Sequence, residues 1–378
     1  MLSRTAQNAT TSAIRDLLEH AQRPGMISLA GGLPDPDRFP IDQLAAASER
    51  LLRTRGRDVL QYGLTAGNAA LRAHIVETTP AADTIDQVVV TTGSQQAQHL
   101  IAQVLLDPGD PVIVGDPEYL GALQAFRSRE VRLLPVAVDR EGIDVDAIEA
   151  TIEAGERPKL VYTVPHFHNP SGTTLSSRRR ERLLELAARH GFMVVFDDPY
   201  RELGEVGSRP AEAAGHPMAV ELRSVSKVLA PGLRVGWMIA PRWLSAAVER
   251  AKQSADLHTS SLSQAITLDA LQSGWYRDHL DDIRAANVAR RDALCRALRD
   301  VLGARLAFDE PAGGMFVWAR FTDGTDTTSL LESALGRGVA FVPGTAFAVH
   351  RDLRTHLRLS WSTADASSLR EAVVRLSG

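Results

Sequence analysis

The stretch VVVTTGSQQAQHLIAQVLL, residues 88–106, decides the fold class. It begins with a run of β-branched residues, which predicts a short buried strand. Gly93 then marks a turn, and the pattern that starts at Ser94 is typical of a helix. A strand, a glycine turn and a helix in this order form the basic unit of an α/β protein.

The same order recurs along the chain and predicts its domains. Strands are predicted in PVIVGDP (111–117), KLVYTVP (159–165), FMVVFDDPY (192–200), MAVELRSVSK (218–227) and RVGWMIA (234–240). Strands that alternate with helices indicate a mainly parallel sheet covered on both faces. The later segments GGMFVWARF, GVAFVPG and HLRLSWS indicate a smaller α+β unit. We therefore expect a large domain at 46–285, a small domain at 286–378 and an N-terminal segment at 1–45 that packs with the small domain.

The composition of the 378 residues argues against several classes of protein. A formal net charge of −4 offers no basic surface for nucleic acid. No apolar run approaches the roughly 20 residues that span a bilayer, and no CxxC or HExxH spacing indicates a metal. The single cysteine, Cys295, is typical of a core residue and suits a reducing compartment. We expect a soluble cytoplasmic protein without a metal. The arginine-rich run SSRRRERLL is expected to open the solvated face of a helix.

Polar clusters follow several of the predicted strands. They are Thr92–Gln95, Tyr119, Asn169, Asp197 with Tyr200, and Ser224–Lys227. In open α/β sheets, ligands bind beyond the carboxyl ends of the strands, and these clusters occupy that position. The sequence therefore predicts one ligand site at this edge of the sheet.

Each cluster alone leaves two interpretations open. The helix start at Ser94 could bind a phosphate or be a plain N-cap. Asp197 could pair with a cationic ring nitrogen, or cap a helix or form a salt bridge. Lys227 could bond to an aldehyde cofactor or be an exposed loop lysine, and Arg234 with neighbouring serines could hold a phosphate. Together the groups match one molecule, pyridoxal 5′-phosphate (PLP).

The chain resembles the class I/II aminotransferases of fold type I over essentially its whole length. Its motifs are ISLAGGLPDPDRFP, TTGSQQA, DPEYLGALQAF, VPHFHNPSG, VVFDDPYREL, SVSKVLAPGLRVGW, QSADLHT and LRLSWS, which occur in the family's order. It is most similar to the 2-aminoadipate (LysN-type) and kynurenine aminotransferases. The resemblance implies a mainly parallel seven-stranded sheet, PLP as the cofactor and a cytoplasmic homodimer with shared active sites.

The resemblance also implies a role for each site residue. Lys227 would bond to the cofactor and shuttle a proton, Asp197 would pair with the ring nitrogen, Asn169 and Tyr200 would bind the phenolic oxygen, and Tyr119 would stack on the ring. Ser94, Gln95, Ser224, Ser226 and Arg234 would bind the phosphate, with Tyr62 from the neighbouring subunit. Arg358 would bind the substrate carboxylate, with Gly32 and Asn169 against the substrate and Arg15 near an acidic side chain. Arg358 could instead be a structural ion pair, Tyr62 a core aromatic and Arg15 a solvated helix residue.

The chain departs from the family's pattern at three places. His166-Phe167-His168 replaces the usual Asn-Phe-Gln, the segment between Tyr200 and Ser224 is short, and Arg223 replaces a glycine. The two histidines could alter substrate choice, add an acid/base group or lie on the surface. Arg223 has no explanation at the level of the sequence.

These features predict an aminotransferase that works by a ping-pong mechanism on an L-amino acid and a 2-oxo acid, with glutamate and 2-oxoglutarate on one side. An alternative is another PLP reaction on an amino acid, such as elimination, cyclisation or oxidation, within specialised metabolism. A more distant alternative is the ligand-sensing domain of a transcription regulator.

Overall fold

A computed structural model describes residue 2 and residues 23–205 and 215–378. The strands are β1 (Ile27–Ser28), β2 (Val88–Thr91), β3 (Pro111–Asp116), β4 (Arg132–Asp139), β5 (Gly142–Ile143), β6 (Leu160–Thr163), β7 (Met193–Asp197), β8 (Ala219–Ser224), β9 (Gly236–Ile239), β10 (Leu306–Phe308), β11 (Phe316–Phe321), β12 (Val339–Ala340), β13 (Val342–Pro343) and β14 (His356–Ser360). The α-helices are α1 (Ile41–Val59), α2 (Ala69–Thr78), α3 (Ser94–Leu105), α4 (Leu120–Arg127), α5 (Val145–Glu153), α6 (Ser177–His190), α7 (Arg242–Ala255), α8 (Ser261–Gln272), α9 (Trp275–Leu302), α10 (Thr327–Gly336) and α11 (Ala366–Ser377).

The larger sheet has the strand order β2-β9-β8-β7-β6-β3-β4-β5. The five central strands from β8 to β4 run parallel, whereas β9 is antiparallel to both of its neighbours and β5 is antiparallel to β4. The sheet is therefore mainly parallel, as the sequence predicts. It has eight strands rather than the expected seven, because the two residues of β5 turn back beside β4 at one edge.

Burial on both faces explains the continuous apolar runs of the central strands. Val112 and Val114 of β3 pack into a core that includes α3, α4 and α7. Ile113, between them, packs into a second core with α5 and α6. Successive side chains of a strand point to opposite faces, so both faces need apolar residues.

The smaller sheet has the order β10-β11-β14-β13 and packs against α9 and α11. Its core includes the fully buried Trp361, whose Nε1 donates to Asn287 Oδ1 at 2.7 Å. β1 pairs in parallel with β12, and Leu29 joins this core. The chain between residues 27 and 30 therefore packs with the C-terminal part of the molecule.

Two local features differ from the sequence-based expectations. β4 was not among the predicted strands, because Arg132, Pro135 and Asp139 interrupt its apolar pattern near the sheet edge. Arg180, in the run expected to be solvated, is only 3% exposed and lies over the Phe196 ring at 4.4 Å. The helix predicted over TSAIRDLLEH lies outside the described residues. Among those residues, no helix is long and apolar enough to cross a membrane.

Candidate active site

A cavity of about 270 Å³ lies at the edge where the parallel strands end. Ten of the residues predicted from the sequence line it, namely Ser94, Gln95, Tyr119, Asn169, Asp197, Tyr200, Ser224, Ser226, Lys227 and Arg234. They come together because Asp197 and Ser224 are the last residues of adjacent parallel strands and the others follow neighbouring strands. This is the position at which α/β sheets bind their ligands.

One end of the cavity is suited to an anion. The backbone turns at Gly93, with a φ of +78°, so that α3 begins at Ser94. A Cβ at residue 93 would lie 2.7 Å from Nη2 of Arg234 and would displace the guanidinium, and the positive φ also favours glycine. Ser224 Oγ donates to Ser226 Oγ at 2.8 Å, and Ser94 Oγ is buried without a partner. The free N–H groups of α3, these hydroxyls and the guanidinium form a site for a dianion such as phosphate. Ser94 is the first helical residue, so the N-cap interpretation is wrong.

An ion pair between the buried Lys252 and the partly exposed Asp256, which sequence analysis missed, supports this end of the cavity. Lys252, fully buried, donates to Asp256 Oδ1 at 2.7 Å and to Gln96 Oε1 at 2.9 Å. Asp256 also accepts from the Thr92 hydroxyl at 3.0 Å. The network fixes the turn before α3 from behind. The only signal in the sequence is the spacing of four residues between Lys252 and Asp256 on a helix.

Asp197 lines the same cavity, and one of its oxygens has no hydrogen-bond partner. Its Oδ2 accepts from the Tyr162 hydroxyl at 2.8 Å and from Gln98 Nε2 at 2.5 Å, whereas Oδ1 is buried without a partner. The pKa of this carboxyl is raised from 3.8 to about 7, mainly by burial; the two hydrogen bonds lower it, and the charge of Asp198 also raises it. A bare, buried carboxylate oxygen is what a protonated ring nitrogen would pair with. The helix-cap and salt-bridge interpretations do not fit these contacts.

Lys227 also lines this cavity. Its Nζ donates to the carbonyl of Gly32 at 2.9 Å and lies 6.0 Å from the centre of the Tyr200 ring. Burial lowers the pKa of the amine from 10.5 to about 8, and the charges of Arg358 and Arg234 also lower it. Roughly a tenth of the amine is therefore unprotonated at pH 7, far more than for an ordinary lysine, and this form is a nucleophile. The exposed-loop interpretation is wrong.

Lys227 is one of only three lysines among the 42 basic residues of the chain. Lys159 is exposed, and Lys252 is paired behind the phosphate end. The rarity of lysine is a signal that sequence analysis did not use. It leaves one amine that could react in the cavity.

Arg358 of β14 lies beside the cavity and is only 1% exposed. It donates to Asn169 Oδ1 at 2.8 Å and to the carbonyl of Ala30 at 2.5 Å. Its guanidinium lies between the rings of Phe316 and Phe347, at 4.2 and 4.9 Å. Burial lowers its pKa to about 10. Within the described residues it pairs with no carboxylate, so it is not the structural ion pair that was considered.

Asn169 Nδ2 donates to the Tyr200 hydroxyl at 3.4 Å, so both side chains of the expected phenol-binding pair are in contact. Burial raises the pKa of Tyr119 to about 12 and also raises that of Tyr200, so both phenols keep their protons at neutral pH. The Tyr119 hydroxyl reaches Gln95 Oε1 at 3.5 Å. Both tyrosines can therefore donate a hydrogen bond inside the cavity.

Besides Arg358, two predicted residues within the described part of the chain, Gly32 and Tyr62, do not line the cavity. Gly32 reaches it through its carbonyl, and a Cβ there would lie 2.9 Å from Phe316 Cζ. Tyr62 is 78% exposed, with its ring 5.8 Å from that of His258, so it is not a core aromatic. Arg15 lies outside the described residues.

The structure shows the burial and the contacts of the residues that depart from the family's pattern. His166 and His168 are 0% and 2% exposed, so the surface interpretation is wrong. Arg223 donates to Glu221 Oε2 at 2.7 Å on the same face of β8. Burial opposes the ionisation of Asp198, but His166 and the charge of Arg223 bring its pKa below the usual value. Part of the segment between Tyr200 and Ser224, residues 206–214, lies outside the described residues.

Three groups of the cavity test whether PLP fits this chain. Ser94 Oγ and Asp197 Oδ1 are buried without hydrogen-bond partners, and their residues line the same cavity as Lys227, whose amine has a lowered pKa. PLP has a phosphate to accept from the hydroxyl, a ring nitrogen to pair with the carboxylate and an aldehyde to bond to the amine. The fold and the site together define a PLP-dependent enzyme of fold type I.

Comparison with known proteins identifies the family. Residues 24–376 match the model of "Aminotransferase class I and II". The chain is 41% identical to the 2-aminoadipate transaminase of Thermus thermophilus over 97% of this chain and 92% of that protein. It is 38% identical to aromatic-amino-acid aminotransferase 1 of Thermococcus litoralis, over 99% and 92%. The crystal structure of LysN, an alpha-aminoadipate aminotransferase from Thermus thermophilus complexed with N-(5′-phosphopyridoxyl)-L-leucine, superposes with a TM-score of 0.92 at 38% identity, covering 100% of this chain and 96% of that one.

The chain therefore belongs to the class I and II aminotransferases. It is a PLP-dependent enzyme that transfers an amino group between an amino acid and a 2-oxo acid.

Replacing Asp197 by asparagine should change how stability depends on pH in the cofactor-free protein. Between pH 3.8 and about 7 the unfolded carboxyl ionises while the folded one stays protonated, so wild type loses stability as pH rises. Asparagine keeps the acceptor for Tyr162 and does not ionise. The free energy of unfolding of the variant should therefore rise relative to that of wild type across this window, by about 2–4 kcal/mol in total. The difference should level off above about pH 7.

Urea denaturation of both cofactor-free proteins at several pH values measures this difference, with the exposed Asp83→Asn as the matched control. A difference that stays flat from pH 4 to pH 8 would contradict the role of burial at Asp197.

Proposed function

We propose that the cavity holds PLP in the arrangement that the family resemblance implies. The residues that would contact the phosphate are Ser94, Gln95, Ser224, Ser226 and Arg234. Those that would contact the ring are Asp197 at the nitrogen, Asn169 and Tyr200 at the phenolic oxygen, and Tyr119 at the ring face. The observation that supports this most is that Ser94 Oγ and Asp197 Oδ1 are both buried without a hydrogen-bond partner and belong to residues that line the same cavity. When bound, PLP supplies an electron-withdrawing ring that weakens the bond to the proton on the substrate Cα.

Lys227 is proposed as both the covalent anchor and the proton carrier. With a pKa lowered to about 8, its amine can accept a proton near neutral pH and return it. Gly32 holds the amine in place through its carbonyl, at 2.9 Å from Nζ. Tyr200 and Asn169 keep their protons and hydrogen bonds, and so stabilise negative charge on a neighbouring oxygen.

Arg358 is proposed to bind the substrate carboxylate. Its guanidinium is buried, always charged at working pH and fixed between two aromatic rings. A bidentate hold on the carboxylate orients the Cα–H bond toward Lys227. Gly32 is proposed to lie against the substrate.

Glutamate and 2-oxoglutarate are proposed as one substrate pair. Support comes from the acidic substrate in the name of the 2-aminoadipate transaminase of Thermus thermophilus. Arg15 is the proposed partner of the substrate's distal carboxylate.

The protein is proposed to act as a cytoplasmic homodimer. Tyr62 is the most exposed large aromatic side chain among the described residues, and Leu60 and Leu64 beside it are 70% and 65% exposed. Exposed apolar side chains that are adjacent favour an interface. Tyr62 would then reach the phosphate bound by the neighbouring subunit.

The proposed domains are residues 46–285 and residues 286–378, with residues 1–45 packed on the small domain. The pairing of β1 with β12 supports this division. Helix α9 runs through the boundary between the two domains.

Lys227→Ala tests the proposed function directly. The variant should lose the cofactor that borohydride reduction attaches to the wild-type chain, and turnover should fall by about 10²–10⁴-fold or more. Mass spectrometry of reduced peptides locates the attachment, and Lys159→Ala is the matched control. Normal turnover in Lys227→Ala, or attachment at Lys252, would refute the assignment.

Arg15→Gln tests the acidic substrate. The KM for glutamate and 2-aminoadipate should rise about tenfold, as expected for the loss of a charged hydrogen bond, while the KM for leucine stays unchanged. Steady-state kinetics with each donor measures this, with the exposed Arg23→Gln as control. An equal change for all donors would argue against a contact with the distal carboxylate.

Tyr62→Phe tests the shared site. Loss of a hydrogen bond to a phosphate should weaken PLP binding about tenfold while sedimentation still gives a dimer. Tyr276→Phe, which removes a phenol that does not line the cavity, is the control. A monomeric wild type, or unchanged PLP affinity in Tyr62→Phe, would contradict the proposal.

A further inference from the structure

The loop from His166 to Asn169 contains two histidines that the proposed chemistry does not use. Both are buried, and neither lines the cavity. Each is bound instead to a carboxylate that is the sequence neighbour of a proposed cofactor contact: Glu118 precedes Tyr119, and Asp198 follows Asp197.

His168 connects this loop to the segment before α4. Its Nε2 lies 3.0 Å from Oε1 of Glu118, which is fully buried. A carboxylate can only accept, so Nε2 bears the proton. The other ring nitrogen, Nδ1, lies 2.8 Å from the Ser171 hydroxyl, so the ring is held at both nitrogens. Asn169, the next residue, is thereby fixed relative to Glu118.

Glu118 passes this constraint to Tyr119. Its Oε1 accepts from the Tyr119 backbone N–H at 2.7 Å, and its Oε2 accepts from Gly115 N–H at 3.0 Å. The carboxylate therefore has three donors, one from the histidine and two from the backbone. Together they set the start of α4, where Tyr119 enters the cavity.

His166 connects the same loop to the end of β7. Its Nδ1 lies 2.9 and 2.8 Å from the two oxygens of Asp198, so this nitrogen also bears a proton. Between the two anchors, Phe167 has a φ of +49°, which is uncommon for an aromatic residue. The paired histidines hold the loop in this conformation from both sides.

The two carboxylates also act on Asp197 through their charge. Burial is the largest cause of the raised pKa of Asp197. The negative charge of Asp198 is the next cause that raises this pKa, and the charge of Glu118 adds to it. Against the effect of burial, His166 lowers the pKa of Asp198 and so keeps this carboxylate charged beside Asp197. Loss of a histidine would disturb both the geometry and the electrostatics of the ring site.

We propose that His166 and His168 are positioning residues. They hold the side chains of Asn169, Tyr119 and Asp197 in the places where these would contact the cofactor ring. The inference rests on the proposed site assignment. It explains why two histidines with buried partners occupy this loop, and it gives neither of them a proton-transfer step. His166 acts on the Asp197 side and His168 on the side of Asn169 and Tyr119.

The test compares variants that keep or remove the donor. His168→Gln and His166→Asn retain an N–H and should bind PLP within about twofold of wild type, whereas His168→Leu and His166→Leu should bind it about tenfold more weakly, the loss expected for a hydrogen bond to a charged group. The measurements are the PLP dissociation constant of the cofactor-free protein and the position of the visible absorbance band of bound PLP. His168→Leu should raise KM as well as lower kcat, because Asn169 also contacts Arg358 at 2.8 Å.

A merely structural role would lower thermal stability without moving PLP affinity or the absorbance band. His168→Leu leaves the buried carboxylate of Glu118 without its histidine partner, so this variant can fail to fold. The double variant His168→Leu with Glu118→Gln avoids this problem because it removes the charge as well. Weak PLP binding in this double variant supports the inference, and wild-type binding overturns it.

Two results separate the failure of this inference from that of the proposed function. If wild type forms no borohydride-reducible link at Lys227, the site assignment itself is wrong. If that link is present and both leucine variants bind PLP like wild type, only the positioning role is overturned.

Discussion

Asp197 lies at the end of a strand whose every residue is buried, and it has hydrogen-bond donors on only one of its oxygens. A buried carboxylate without a full set of partners resists ionisation, and it recovers its charge when a cation arrives. Much of the surrounding structure depends on this condition. Tyr162, Gln98 and the position of β7 fix which oxygen stays bare, and so fix the direction from which a ring nitrogen can approach.

The remainder of the cavity has the opposite sign. Lys227, Arg234 and Arg358 contribute cationic groups, and none of them pairs with a carboxylate among the residues that the structure describes. Their mutual repulsion helps to lower the pKa of Lys227. A dianionic phosphate and a substrate carboxylate would neutralise the two guanidinium groups. The same neutralisation would return the lysine toward its usual pKa, which couples the basicity of the amine to occupancy of the site.

The sequence predicted the parts of this structure that depend on local pattern. β2, Gly93 and α3 follow from residues 88–106, and the carboxyl-edge clusters follow from the position of each strand. The partners of the histidines did not, because His168 meets Glu118 across 50 residues and nothing near either position marks the pair. β4 was missed because its residues near the sheet edge are half-exposed and interrupted by proline and charge. Arg180 was misjudged because its burial depends on Phe196, in a different element.

The scarcity of lysine has a chemical consequence for an enzyme that uses an aldehyde. Aldehydes condense with any accessible amine, so a protein rich in surface lysine sequesters its own cofactor at unproductive positions. In this chain arginine forms almost all of the basic surface, and guanidinium groups do not condense in this way under mild conditions. Apart from the chain terminus, Lys159 is the one exposed side-chain amine that can compete with Lys227. Selectivity for the correct nitrogen is thus built into the composition of the whole surface as well as into the pocket.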